Sequence, residues 1–273
     1  MRVGLVGCGF IGASLAQAID KEMRGYMELV AIYDEVKEKA VSLSRNLRTE
    51  PEIAESLDDI IHDSRIELVI EAASQTAAKA IIPKVLRAEK QVMIMSVGAL
   101  SDTEFYEGME KILMRSKARV YVPSGAIGGL DWIKAASAAG LEKVAITSRK
   151  PPKALEEAPY VVRNKIDLGT IREPTQIYEG PASDAASSFP ANVNVAAALS
   201  LAGIGSRKTL VRVVADPTVE RNIHEITAQG TAGSITIRVE NLPSPTNPKT
   251  SWVAALSAIQ KLKEIAQPVS LGT

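Results

Sequence analysis

The 273-residue sequence has a single cysteine, two histidines and few aromatic residues. Cys8 stands alone, so an intrachain disulfide and a cysteine-built zinc site are both excluded, and a reducing, cytoplasmic setting is expected. His62 and His224 are too few to suggest a metal centre, and none is expected. Phe, Trp and Tyr make up only 4% of the chain, so any core must rest on Val, Ile, Leu and Ala. A charge excess is also missing. Lys+Arg and Asp+Glu both number 32, which argues against nucleic acid or an acidic membrane as a partner. Residues 195–205 form the longest apolar stretch, which is too short to cross a bilayer and contains Ser200. The N-terminus runs straight into a strand-like segment, so no signal peptide is expected.

What the chain does have is alternation. Residues 3–6, 29–33, 68–72, 92–96 and 120–122 are nearly continuous apolar runs, the signature of parallel strands buried on both faces. Helical patterns separate them. Ile11, Leu15, Ala18 and Ile19 share one face, as do Phe105, Met109, Ile112 and Leu113. Ser101 and Glu104 are spaced for a capping box. After Pro123 the pattern changes. A helix over 128–139 is followed by strands at 144–148, 175–178, 210–214, 223–228 and 234–239, and the last two flank a turn at 229–233. Pro243, Pro245 and Pro248 mark a stiff crossing before a last helix with Trp252, Leu256, Ile259 and Leu262 roughly on one side. The expected architecture is α/β: an N-terminal Rossmann dinucleotide-binding domain plus a C-terminal α+β domain with a mixed or antiparallel sheet. The first should comprise residues 1–124 with a returning helix in 248–273. The second, residues 125–247, would carry substrate, catalysis and oligomer contacts.

The first strand runs into Gly7-Cys8-Gly9-Phe10-Ile11-Gly12, a G-x-G-x-x-G element between strand and helix. Gly7 allows a tight turn, Gly9 a close approach of the backbone to a pyrophosphate, and Gly12 close packing of helix on strand. The N–H groups at the helix start, including those of Phe10 and Ile11, offer partial positive charge to phosphates. Asp34 ends the second strand at about the spacing the motif requires. A carboxylate there accepts ribose hydroxyls and repels a 2′-phosphate, which favours NAD over NADP. Cys8 reads as a small loop filler.

The second half contains long, unusual segments: Pro123-Ser124-Gly125-Ala126-Ile127-Gly128-Gly129, Arg149-Lys150-Pro151-Pro152-Lys153, and Phe189-Pro190-Ala191-Asn192-Val193-Asn194-Val195-Ala196. Val214-Ala215-Asp216-Pro217, Asn222-Ile223-His224 and Asn241-Leu242-Pro243-Ser244-Pro245-Thr246-Asn247-Pro248-Lys249-Thr250-Ser251 follow. Together with the glycine loop, these closely resemble the L-aspartate dehydrogenase family, over both ends of the chain and most of residues 123–251. Residues 42–65 and 154–173 carry no recognised motif. The resemblance implies NAD(P)-dependent oxidative deamination of L-aspartate to iminoaspartate, which hydrolyses to oxaloacetate and ammonia or supplies NAD biosynthesis. It places the catalytic role on His224 and cofactor contacts on Ala126 and Asn192. It also leaves NADP open as a second cofactor.

The chemistry can be weighed separately. The amine of aspartate must be neutral when hydride leaves Cα, and imine hydrolysis needs an activated water. One group with a pKa near neutrality serves both steps. His224 lies on an expected strand, a rigid support, whereas His62 lies in a polar stretch and reads as a solvated surface residue. A strand histidine can equally be a packed core residue. Two substrate carboxylates call for cations or N–H donors. Lys249, Lys150, Lys153 and Arg149 qualify by location, as do the N–H groups of the loop around Ser124 and Gly125. Asn192 can also be a helix cap. Other readings are a homoserine-dehydrogenase-like or dihydrodipicolinate-reductase-like oxidoreductase, and a non-catalytic nicotinamide-binding regulator. A homodimer or higher homo-oligomer is expected.

Overall fold

A computed structural model of the chain describes residues 1–190, 193–245, 250–267, 269 and 272. The chain divides into two compact units. One comprises Met1–Ala99, Glu104–Pro123 and the stretch beginning at Ala255, and the other is built mainly from Ser124–Ala254. No helix among the described residues is long and apolar enough to cross a membrane.

The first unit holds strands β1 (Arg2–Val6), β2 (Glu28–Tyr33), β3 (Glu52–Ile53), β4 (Leu68–Glu71), β5 (Gln91–Ile94) and β6 (Val120–Tyr121). They form one sheet in the order β3-β2-β1-β4-β5-β6, every pairing parallel. That is the doubly wound order, with its switch point between β1 and β4. The connections carry α1 (Phe10–Glu22), α2 (Lys37–Arg45), α3 (Leu57–His62), α4 (Gln75–Arg87) and α5 (Thr103–Leu113). The 3.6-residue spacing of Leu15, Ala18 and Ile19 on α1 sets them into the core beside Val3, Leu5 and Ile70. Each large aliphatic side chain buried this way contributes about 1.5–3 kcal/mol.

Three local features depart from the sequence-based expectation. The short edge strand β3 falls in a stretch with no motif. The capping box at Ser101 does not form: Ser101 ends a 3-10 turn, α5 starts at Thr103, and the buried Ser101 hydroxyl has no hydrogen-bond partner. The capping box is instead at α3, where Ser56 and Asp59 exchange side-chain and backbone bonds. On the last helix the expected apolar face is only half buried. Trp252 and Leu256 are 45% and 43% exposed, while Ala258 and Leu262 are buried in the first unit's core. Ile259 also packs against that core, so the expected face holds in its C-terminal half and fails at Trp252 and Leu256.

The second unit holds β7 (Leu141–Lys150), β8 (Thr175–Pro181), β9 (Leu210–Ala215), β10 (Asn222–Gly230) and β11 (Gly233–Asn241), in the order β11-β10-β7-β9-β8. Only β7 and β9 run parallel, so the sheet is mixed. The turn between β10 and β11 is tighter than expected. Gly230 pairs with Gly233, which adopts φ 128°, leaving Thr231 and Ala232 to make the bend. Helices α6 (Leu130–Ser137), α7 (Pro159–Arg163), α8 (Ala182–Ser188) and α9 (Val193–Ala202) complete the unit, and α10 (Trp252–Ala266) ends the regular structure. One sheet face lies on a core that includes Ile133, Ile146, Phe189, Leu199 and Ile226. Helix α9 is buried almost all round, as its uniformly apolar sequence requires. The other sheet face carries ion pairs, among them Arg149–Glu225 and Arg238–Glu240.

Candidate active site

In the first unit the candidate groups gather at the carboxyl ends of β1, β2 and β4. Gly7 has φ 95°, and a Cβ on it would lie 2.4 Å from the Ala72 carbonyl oxygen. A Cβ on Gly12 would lie 1.9 Å from the Gly7 carbonyl oxygen. These two glycines let helix, loop and strand close on one another. Gly9 is different: a Cβ there would meet no described atom within 4 Å. Its freedom from contact leaves the loop's backbone approachable from outside. Helix α1 starts here without a side-chain cap or an acidic first-turn residue, and its first helical bond runs from Ala13 N–H to the Gly9 carbonyl. The N–H groups of Phe10, Ile11 and Gly12 precede that bond, as anion binding requires.

Asp34 follows β2, and its carboxylate is held by two backbone donors. Oδ2 accepts from Cys8 N–H at 2.7 Å and Oδ1 from Val36 N–H at 2.9 Å. Each oxygen keeps a further lone pair for an outside donor. Cys8 itself is buried, and its thiol pKa is pushed up to about 12 by burial and by the Asp34 charge, so it is no nucleophile. Glu71, at the end of β4, is fully buried and was not singled out from the sequence. It accepts from Ala73 N–H, Ser96 N–H and the Ser96 hydroxyl, tying the β4 and β5 ends together. Burial raises its pKa against the lowering effect of those bonds. The donor set (open glycine backbone, free helix N–H groups, a preset carboxylate) fits the pyrophosphate and ribose of a dinucleotide.

In the second unit His224 sits on β10 opposite Ser148 of β7, and its Nδ1 lies 3.0 Å from the Ser148 hydroxyl. It is 4% exposed. Strand alternation then puts Lys150 on the same face of β7 as Ser148. Lys150 is 9% exposed. The imidazole pKa is lowered to about 4, first by burial and then by the Lys150 charge. Burial lowers the Lys150 ammonium to about 8. His224 is therefore a neutral ring at pH 7 with one nitrogen fixed by a hydroxyl. That arrangement can accept a proton once its surroundings favour the cation.

Of the other expected residues, Ala126 is tied to the end of β11 that pairs with Asn222, two residues before His224. Ala126 is buried, and its carbonyl accepts from Asn241 Nδ2 at 2.9 Å. Ser124 and Gly125 are half-buried, with Gly125 at φ 68°. Asn192 and Lys249 lie outside the described residues. Arg149 points to the opposite sheet face, where it pairs with Glu225 and Asp216, so it is occupied structurally. Lys153 and His62 are exposed. The sequence reading missed Ser148 and Asn241, although the i, i+2 spacing of two polar residues at the end of an apolar strand face was a usable signal for the first.

Residues 131–265 match the family described as aspartate dehydrogenase, C-terminal, and residues 7–123 match the one described as homoserine dehydrogenase, NAD binding domain. The L-aspartate dehydrogenases of Methanosarcina barkeri and Methanosarcina mazei are each 47% identical to this chain, over 100% of both sequences. Among solved structures, the aspartate dehydrogenase from Thermotoga maritima is 28% identical with a TM-score of 0.79, covering 100% of this chain and 99% of its own. The homoserine dehydrogenase name attaches to the nucleotide-binding half, which competing oxidoreductases would share. The half that separates them carries the aspartate dehydrogenase match.

Proposed function

Because the chain belongs to the L-aspartate dehydrogenase family, we propose that it oxidises L-aspartate with NAD(P) to iminoaspartate, with His224 as acid and base. Iminoaspartate then hydrolyses to oxaloacetate and ammonia or feeds NAD biosynthesis. The observation that carries the catalytic assignment is the buried His224 ring, held by Ser148 at 3.0 Å.

Gly7, Gly9, Gly12 and the N–H groups of Phe10 and Ile11 hold the pyrophosphate, Asp34 takes the ribose, and Ala126 and Asn192 contact the cofactor. The bound nicotinamide supplies the hydride acceptor for the Cα–H bond of the substrate. With Nδ1–H donated to Ser148, Nε2 of His224 presents its lone pair. It removes a proton from the substrate ammonium, freeing the nitrogen lone pair that drives hydride departure. The imidazolium gives that proton up to solvent, and the neutral ring then takes a proton from the water that attacks the imine carbon and passes it to the departing ammonia, so one residue serves both steps. Among the candidate anchors for the substrate carboxylates are the loop of Ser124 and Gly125, and Lys249.

The carboxylate of Asp34, with its two outward lone pairs, supports NAD over NADP. The lone buried cysteine suits a reducing cytoplasm, and a homo-oligomer acting on a small amino acid belongs to the same reading. Purified protein offered L-aspartate with NAD or NADP, followed by absorbance of the reduced nicotinamide, tests the reading. Turnover with aspartate that collapses in His224→Ala is the expected result, and undiminished turnover in that variant would sink the catalytic assignment.

A further inference from the structure

Among the described residues two lysines are buried, and they are not alike. Lys90 is 8% exposed, and its ammonium donates to the carbonyl oxygens of Asp63 and Ile66. Lys150 is as deeply buried, yet among the described residues no carboxylate or carbonyl accepts from its side chain. Its neighbour Arg149, on the opposite sheet face, has two carboxylates, Glu225 and Asp216. A buried ammonium without an anion is costly, and folded proteins rarely keep one without a use for it. Lys150 also shares the polar end of the β7 face with Ser148, which holds His224.

We propose that Lys150 receives a carboxylate of the substrate, and that this carboxylate cancels the charge facing His224 so that the imidazole becomes a working base only when substrate is in place. The proposal rests on the aspartate-oxidising reading given above.

The surroundings of His224 leave Lys150 as the charge that matters. On β7 the ring faces Ser148 and Lys150. On β11 its register partner is Val239, which carries no charge. Helix α6 packs on β10 with Ile133 and Ala136 buried, and turns Asp131 and Lys134 outward. Glu225 alternates to the other face of β10, where Arg149 and Arg238 take it. Asp216 is bound by Arg149 and Thr218. A positive charge beside a buried imidazole opposes its protonation, and an anion on Lys150 removes that opposition. The empty enzyme thus keeps a weak base, and the complex a stronger one. Binding of the dianionic substrate and activation of the proton acceptor become one event.

The two histidines make this readable. Enzyme labelled at the imidazole carbons and saturated with NAD gives two histidine resonances, and His62→Gln leaves only His224. Succinate, a dicarboxylate with no amine to oxidise, serves as the probe. The expected result is that succinate moves the His224 titration upward by about one pH unit or more. In Lys150→Met the titration should sit higher without any ligand, with no further movement. Succinate affinity and the KM for aspartate should each worsen at least tenfold in Lys150→Met, and Lys150→Arg should recover part of the affinity. Retained NAD binding in each variant shows the fold intact. An unchanged His224 titration on succinate addition, or wild-type succinate affinity in Lys150→Met, overturns the proposal. Absence of aspartate turnover, with succinate still binding through Lys150, overturns the function instead.

Discussion

The two units hold their candidate chemistry in opposite ways. In the first, the working parts are mostly backbone: three glycines, the free N–H groups of a helix start, and a single carboxylate fixed by N–H donors. In the second, they are side chains, Ser148, Lys150 and His224, brought together across two strands that lie 76 residues apart at the Ser148–His224 contact. A backbone site is written as a contiguous motif because glycine has no substitute where a Cβ collides. A side-chain site is written only in strand register, which no short window of sequence contains.

That contrast can be broken by substitution. The largest effect is expected at the side-chain site. His224→Ala should cut turnover by about a hundredfold or more, the range of general acid–base catalysis, while NAD affinity stays level. A parallel fall in NAD affinity would mean that the residue holds structure rather than a proton. In the backbone site, Gly12→Ala and Gly9→Ala should separate. The first drives a Cβ to within 1.9 Å of the Gly7 carbonyl oxygen and should cost a few kcal/mol in thermal or denaturant unfolding, as overpacking does. The second meets only open space, so it should unfold like the parent but bind NAD more weakly by titration.

Next come two stability effects of about 3 kcal/mol each, from shifts of roughly two to three pH units. Lys150→Met should stabilise the protein, because it removes a buried charge. The ammonium is lowered from 10.5 to about 8, so the gain is complete below pH 8 and fades as pH rises toward 10.5. His224, lowered from 6.5 to about 4, works in the acid range. The unfolded chain takes up a proton near 6.5 that the folded protein refuses until about 4, so stability falls across that window and His224→Gln should flatten the fall. Denaturant midpoints against pH measure both. The smallest effect belongs to Asp34→Ala, which should shift preference toward NADP by about tenfold, equal to about 1.4 kcal/mol, in kcat/KM ratios.

Much of the fold was readable because parallel strands buried on both faces are long apolar runs and the glycine loop lies between a strand and a helix. The failures have local causes. β3 is only two residues long and makes no pattern. Ser101 had the right spacing to Glu104, but the helix begins after Asp102, and the serine is committed to a turn. On the last helix Ile259 and Leu262 pack as their spacing implies, beside Ala258, while Trp252 and Leu256 near its start stay exposed. In the second unit, Ser148 was hidden because it lies near the end of a strand that runs into Pro151-Pro152, where polar residues look like the exit into a loop, and Lys150 could be named by location but not told apart from Arg149 and Lys153. His224 could be named from its segment, but its pairing with Ser148 needed the β7–β10 register.

Asp34 does two jobs with one side chain. Its carboxylate stands ready for a ribose, and it also clamps the Cys8 N–H inside the glycine loop and the Val36 N–H at the start of the next helix. Redesign toward a phosphorylated cofactor therefore cannot treat the position as a simple selectivity switch. Removing the carboxylate leaves two backbone donors to be satisfied and slackens the turn that grips the pyrophosphate, so affinity for both nucleotides should drop together. A serine or asparagine at 34, which keeps an acceptor for Cys8, joined to a new cation beside it, is the conversion this loop is built to tolerate.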